Sequence, residues 1–194
     1  MIRRSFLALG LAASLVLPAP AQEAPDPENV LTIEVEGQAN GTVEILLRPD
    51  IAPQHVERIK TLAREGAYDG VAFHRVIEGF MAQTGDVEFG TREQTGSGMA
   101  GTGGSELPDL PAEFSDESFD AGVVGMARSQ DPNSANSQFF IMLAPAPHLD
   151  GQYTVVGRVV SGQEVVDAIK RGSGGNGEVE DPDYMASVRV KGDA

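Results

Sequence analysis

From Leu31 to Val190 the apolar residues come in short runs broken by glycine-rich stretches, and only two segments change to helical spacing. That rhythm limits the fold more than any other feature of the chain. Leu31, Ile33 and Val35 alternate with Thr32, Glu34 and Glu36, and beyond Gly41 the alternation resumes through Val43, Ile45 and Leu47. A period of two puts one face of a hairpin in a core and the other in water. Residues 71–77, 80–83, 122–127, 138–143, 153–160 and 185–190 read as further strands. Pro53 suits a first helical position, Val56, Ile59 and Ala63 follow at helical spacing, and Gly66 stops the run. A second helix is expected over 163–171, with Val165, Val166 and Ile169 on one side and Lys170 and Arg171 in its last turn. Strands and helices do not alternate as β-α-β units, so a parallel sheet is disfavoured. The expectation is a mainly β fold: a closed antiparallel barrel capped by two α-helices, because closure removes unpaired edges. The terminal strands, near Leu31 and Val188, are then placed to pair. Residues 87–120 are glycine-rich with little periodicity, and a loop of that length is expected to be functional or mobile.

The residues ahead of these strands are of another kind. Arg3 and Arg4 precede an apolar stretch over 6–17, followed by Pro18-Ala19-Pro20-Ala21. A basic start, a short apolar segment and small residues in an A-x-A arrangement read as a secretory signal peptide cut before Gln22. The apolar stretch is too short for a membrane-spanning helix, which needs about 20 residues. Residues 1–21 are thus expected to be removed, 22–29 to form a polar tether, and 30–192 to form one domain. Arg3-Arg4-Ser5-Phe6-Leu7 is also similar to a twin-arginine export signal, so either that route or the general secretory route would deliver the chain to the periplasm. No stable membrane association is expected after cleavage.

Charge and composition narrow the chemistry. Of 194 residues, 29 are acidic and 14 basic, a net charge of −15; loss of Arg3 and Arg4 takes the 173-residue mature chain to −17. Nucleic-acid binding requires a basic stripe, and the few Lys and Arg are scattered among acids. There is no cysteine, which excludes disulfides, thiolate nucleophiles and Cys-bound zinc. His55, His74 and His148 match no short metal-binding motif, and no phosphate-binding loop or nucleophile elbow is present. Gly101-Thr102-Gly103-Gly104 reads as a turn, and Glu113, Asp116, Glu117 and Asp120 as a solvated acidic loop. No metal or cofactor is implied.

Two motifs remain. The stretch from Phe73-His74-Arg75-Val76-Ile77 to Gly85-Asp86 puts Arg75 and Ile77 on one face of a strand and His74 and Val76 on the other. Ser137-Gln138-Phe139-Phe140-Ile141 follows a polar run. By pattern alone these are core strands with one exposed arginine. Together with Gly101-Thr102-Gly103-Gly104, Gly125-Met126-Ala127, Asn136, Leu149-Asp150-Gly151 and Val156-Gly157, they resemble, in order and over residues 30–190, the cyclophilin family of peptidyl-prolyl cis-trans isomerases. The resemblance implies an eight-stranded antiparallel barrel with two capping helices and a substrate groove on its outside. The implied substrates are unfolded or extended X-Pro segments of folding proteins.

Such a reaction is consistent with the absence of other catalytic motifs. Rotation about an X-Pro bond breaks no covalent bond but crosses a barrier of ~18–20 kcal/mol. Lowering it requires favouring the twisted amide, whose nitrogen regains a usable lone pair, over both planar forms. The resemblance assigns that task to Arg75, whose guanidinium stays charged and offers a rigid fork of donors. It also implies an apolar proline pocket from Phe80, Met81, Phe140 and Leu149, a carbonyl-binding role for Gln83, and groove positions for Ala127 and Gln138. Phe139 and Ile141, on the opposite face, are expected in the core. His74 lies in the motif and is expected at the groove edge or in a structural role.

Three positions depart from the family's eukaryotic pattern. His148 stands where many such members carry a tryptophan that helps bind cyclosporin, so weak cyclosporin binding is expected. Tyr153 replaces a histidine and keeps an aromatic wall. Arg128 replaces an asparagine and adds a cation near the groove, which suggests a preference for an acidic residue beside the proline. A monomer is the default expectation. Two rival readings are a cyclophilin-like binding module or holdase without important catalysis, and a barrel whose interface lies on residues 87–120.

Overall fold

The computed structural model describes residues 24–193. The first hairpin forms as its alternation requires: β1 (Val30–Glu36) pairs antiparallel with β2 (Gly41–Leu47), burying Leu31, Ile33, Val35, Val43, Ile45 and Leu47. Helix α1 (Pro53–Arg64) begins at proline and buries Val56, Ile59, Leu62 and Ala63. Then follow β3 (Val71–Ala72), β4 (Arg75–Ile77), β5 (Met81–Thr84), β6 (Val123–Met126), β7 (Phe139–Met142), β8 (Val155–Ser161), α2 (Gln163–Ala168) and β9 (Tyr184–Val190). All pairings are antiparallel, in the order β3-β9-β1-β2-β8-β6-β7-β5-β4. The first and last strands among the described residues pair, with Ile33 opposite Val188.

The sheet has nine strands, and its closure differs from the eight-stranded closed barrel expected. Residues 71–77 do not form one strand. They split at Phe73-His74 into β3 and β4, which lie at opposite ends of the sheet order. The chain itself therefore joins the two edges. The gap between them is bridged by the segment leading into β9: Phe73 N–H donates to Asp183 O, Val179 N–H to His74 O, and Val76 N–H to Gly177 O at 2.9, 3.1 and 2.7 Å. An apolar pattern cannot reveal this break, because buried residues lie on both sides of it, Val71, Ala72 and Phe73 before and Val76 after.

Inside the curl, Ile33, Val43, Ile45, Phe73, Val76, Val124, Met126, Phe139, Ile141, Val156, Met185 and Val188 form one continuous core with residues of both helices. Phe139 and Ile141 take the core places expected of them. Alternate residues of β4–β8 point outward and build a second, smaller apolar cluster around Met81, Phe119, Phe140, Met142, Leu149 and Val155. A soluble sheet that packs both faces has something to cover or to bind.

Three local expectations are corrected. Helix α2 ends at Ala168, since Ile169 is extended; Arg171 nonetheless donates back to the carbonyls of Asp167 and Ile169. The end of the expected tether is structured: Pro27–Asn29 is a 3-10 turn in which Glu28 pairs with Arg64 and Lys60. Residues 87–120 are anchored along their length. Arg58 donates to Pro108 O, Asn136 accepts from Ser105 N–H and donates to Leu107 O, and Glu113 reaches α1.

Glu113 is no solvated acid. Ala52 at the N-cap of α1 has no capping side chain, and Glu113 supplies the missing acceptor from across the fold. Its carboxylate accepts from the N–H groups of Gln54 and His55, and from the His55 ring at 2.6 Å. Burial pushes its carboxyl up, but these hydrogen bonds outweigh it and hold the group below its ordinary value. Helix N-termini leave N–H groups that need such partners. Glu113→Ala leaves the fully buried His55 ring and two amides without their acceptor. It is expected to cost about 2–3 kcal/mol, measured by urea unfolding. A loss below about 0.5 kcal/mol would show that the cap is idle.

Candidate active site

The site grows from a single row of residues across the outside of the sheet. Arg75 on β4 lies opposite Gln83 on β5, Gln83 opposite Phe140 on β7, and Phe140 opposite Gly125 on β6. Directly opposed residues share a face, so four strands present one arginine, one amide, one aromatic ring and one gap side by side. The gap is necessary. A Cβ at Gly125 would lie 2.6 Å from both Phe119 Cε1 and Phe140 Cζ, so only glycine lets the two rings lie over the sheet. They stack with centroids 5.8 Å apart, and Tyr153 meets the Phe140 ring edge-on at 5.8 Å.

Above this floor opens a cleft of about 190 Å³ lined by Arg75, Phe80, Met81, Gln83, Ala127, Arg128, Phe140, Leu149 and Tyr153. Nine of the twelve residues expected at the site thus meet in one place. A neighbouring pocket of about 330 Å³ is polar, lined by Gly101, Thr102, Gly103, Ser129, Ser134, Asn136 and Gln138. Gln83, Ala127 and Arg128 line both. Gln138 therefore belongs to the polar pocket rather than to the apolar cleft. His148 lines neither; it stacks on Phe80 at 5.8 Å and extends the rim.

A chain of hydrogen bonds fixes the polar side. Arg75 Nη1 donates to Gln83 Oε1 at 3.1 Å, Gln83 Nε2 to Gln138 Oε1 at 2.9 Å, and Gln138 Nε2 to the carbonyls of Gly101 and Gly103. The Gly101 and Gly103 N–H groups donate in turn to the fully buried carboxylate of Asp86, which also accepts from Glu88 and Phe89 N–H. The turn expected over 101–104 is seen only at its start, where Thr102 N–H donates to Met99 O; Gly101, Thr102 and Gly103 form a wall of the second pocket. Arg75 makes one more contact, Nε to Asn176 O at 2.9 Å. Burial lowers its pKa, though a guanidinium remains charged.

Arg128 is less free than its sequence position suggested. It lies over the Tyr153 ring, 4.3 Å from the centroid, and donates to the carbonyls of Ser129, Gln130 and Gln152. His74 does not reach the groove. Its position on the opposite face from Arg75 turns it inward, 6 % exposed, against the backbone of Gly101. Phe119, Asn136, Asp86 and Asn176 were not among the expected site residues. Phe119 shares its acidic stretch with Phe114, and nothing in the pattern tells the buried ring from the exposed one; Asn176 acts through its backbone, which no side-chain pattern records.

Burial lowers the His74 pKa, only partly offset by Asp86, while Arg75 adds to the depression. Folded protein therefore holds the neutral ring, and unfolding below the ordinary histidine value, about 6.5, takes up a proton. Stability should be fully present above that pH and decline as the pH falls through it. In urea unfolding between pH 7.5 and 5, His74→Gln is expected to flatten this decline; an unchanged slope would remove His74 as its source.

Comparison with known proteins agrees with this geometry. Residues 30–190 match the family model for cyclophilin type peptidyl-prolyl cis-trans isomerase/CLD. A probable peptidyl-prolyl cis-trans isomerase of Brucella suis is 54% identical over 194 residues, 99% of this chain and 97% of that protein. The crystal structure of cyclophilin AquaCyp293 from Hirschia baltica is similar with a TM-score of 0.73 and 28% identity, covering 89% of this chain and 77% of that one. A Cryptosporidium parvum cyclophilin-type isomerase, crystallised in the presence of the dipeptide Ala-Pro, shares the fold with a TM-score of 0.71. It is 24% identical, over 83% of this chain and 98% of that one. The chain belongs to the cyclophilin-type peptidyl-prolyl cis-trans isomerases, and its reaction is the rotation of X-Pro peptide bonds.

Proposed function

We propose that the apolar cleft holds the proline ring of an extended chain and that Arg75 stabilises the twisted bond beside it. The observation that carries this reading is the donor count at Arg75. A guanidinium has five N–H donors. One goes to Asn176 O and one to Gln83 Oε1, which leaves three without an acceptor among the described residues, at the rim of the cleft.

The energetics follow from that arrangement. Met81, Phe140 and Leu149 are almost wholly buried and offer a preformed apolar floor, so binding the ring requires little rearrangement. A planar amide nitrogen has its lone pair delocalised and is a poor acceptor. Halfway through rotation the lone pair localises, and a fixed cation nearby gains most at that point, which lowers the barrier without stabilising either isomer. Because Arg75 is half-buried and tethered at two donors, it needs little reorientation at the moment of rotation. Gln83 keeps its amide fixed between Arg75 and Gln138, placed to meet a substrate carbonyl.

Arg128 supports a finer proposal about sequence preference. Its hydrogen bonds go to neutral carbonyls, so its charge is not cancelled by a carboxylate among the described residues, and it borders both pockets. A substrate with an acidic residue next to proline would meet that charge. The polar pocket is lined by Ser, Asn and Gln side chains that offer hydrogen bonds to the same neighbour.

A protease-coupled assay on X-Pro peptides tests both proposals. Arg75→Ala is expected to lower kcat/KM by about 10²-fold or more, in line with loss of one transition-state donor group. Activity equal to wild type would discard the role given to Arg75. With Glu-Pro, Ala-Pro and Lys-Pro peptides, the Glu-Pro peptide should turn over fastest, and Arg128→Ala should level the series. Equal rates in the parent protein would rule the preference out.

We also propose that the working protein is the exported form beginning at Gln22, acting on unfolded chains in the periplasm. Residues 1–21 lie outside the described residues, and the reading rests on their basic start, short apolar stretch and small residues before the cut. Mass spectrometry of protein from fractionated cells should find an amino terminus at Gln22 in the periplasmic fraction. Intact Met1 in the cytoplasmic fraction would refute it.

A further inference from the structure

Strand β4 carries Arg75 and lies at one end of the sheet order, paired with β5 on one side only. Its other side is covered by residues 172–178, a glycine-rich strap. Val76 N–H donates to Gly177 O at 2.7 Å, Gly172 N–H donates to Val76 O at 2.9 Å, and Arg75 forms an antiparallel bridge with Glu178. The strap is tied down at its base. Arg171 pairs with Glu78 and donates to Asp167 O, and the buried Asp183 carboxylate accepts from Lys170 N–H at 2.7 Å.

Two successive carbonyls of this strap turn toward β4. That of Asn176 accepts from Arg75 Nε, and that of Gly177 accepts from Val76 N–H. In an extended chain neighbouring carbonyls point to opposite sides, so aiming both at one strand needs a local reversal. Gly177 supplies it with φ of +73°, in the left-handed region. It is also buried against β4. A Cβ there would lie 2.4 Å from Ile77 Cγ1 and 3.0 Å from Val76 O. Gly175, two residues earlier, has open space around it and an ordinary φ.

We propose that Gly177 is a positioning residue for catalysis. By turning the Asn176 carbonyl onto Nε, it sets the plane of the Arg75 fork so that the remaining donors face the cleft. Gln83 alone would hold the guanidinium at one point, about which it could swing; the second point on the other side stops that rotation. The inference rests on the reading of Arg75 given above.

The test measures kcat and KM with an X-Pro peptide, together with the ¹H–¹⁵N signal of the Arg75 Nε–H group. Gly177→Ala is expected to lower kcat about tenfold to hundredfold, the scale of a misplacement of about 1 Å, with little change in KM. Its Arg75 Nε–H should shift and exchange faster with water. Gly175→Ala should leave kcat and the signal unchanged. In an Arg75→Lys background, which lacks the fork, Gly177→Ala should cause no further loss. Unchanged kcat in Gly177→Ala, or the same fractional loss in both backgrounds, would overturn the proposal. If Gly177→Ala does not fold, the parent protein still decides. Its Arg75 Nε–H must exchange more slowly than that of the exposed Arg158, and equal exchange would overturn the proposal. Wild-type activity in Arg75→Ala would instead refute the role of Arg75 and is distinguishable from all of these.

Discussion

An interior filled by side chains leaves a curled sheet only its outer surface for ligands, and the rest of this molecule follows from that. Strand residues alternate, so every residue given to the core commits its neighbour to the outside. Val76, Ala82, Ile141 and Val124 fill the inside; Arg75, Ile77, Met81, Gln83, Phe140 and Gly125 therefore have no choice of face. Packing and register align the functional groups, and no loop is needed to bring Arg75, Gln83 and Phe140 together. Loops then raise walls around the row, with Phe119, Leu149 and Tyr153 arriving from outside the paired strands.

The polar wall is built on the opposite principle. Where strands end, backbone groups lose their partners, and buried polar side chains take over. Asp86 accepts four N–H groups, Glu113 caps a helix from the far side of a long loop, and Asn136 holds both edges of the 105–109 stretch. Each is a side chain from one element satisfying the backbone of another. The long loop is therefore ordered by a few carboxylates and amides in place of an apolar core of its own.

Strand positions and facing were legible in the sequence because a period of two survives in any context where one side is buried. The proline start of α1 follows from local pattern, the pairing of the terminal strands from the closure expected of the sheet, and the inward turn of Phe139 and Ile141 from the resemblance that places Phe140 in the groove. The break at Phe73-His74 was not legible, since a buried residue looks the same on either side of it. Nor was the second end of α2, where Ile169 continues the apolar spacing but leaves the helix. Glu113 was read as solvated because its partners lie far off in sequence, at residues 54 and 55. At the site, side chains that line the cleft were recognisable from motif resemblance. Contacts made through backbone carbonyls, such as that of Asn176, leave no trace in residue identity.

One amide has a wider consequence. Gln83 is bonded to Arg75 on one side and Gln138 on the other, and it borders both the apolar cleft and the polar pocket. An occupant of the polar pocket would touch the same side chain that accepts from Arg75. On the proposed reading, selectivity and turnover would be coupled through this one amide. A change in the pocket that favoured new client sequences would then also change the rate on old ones.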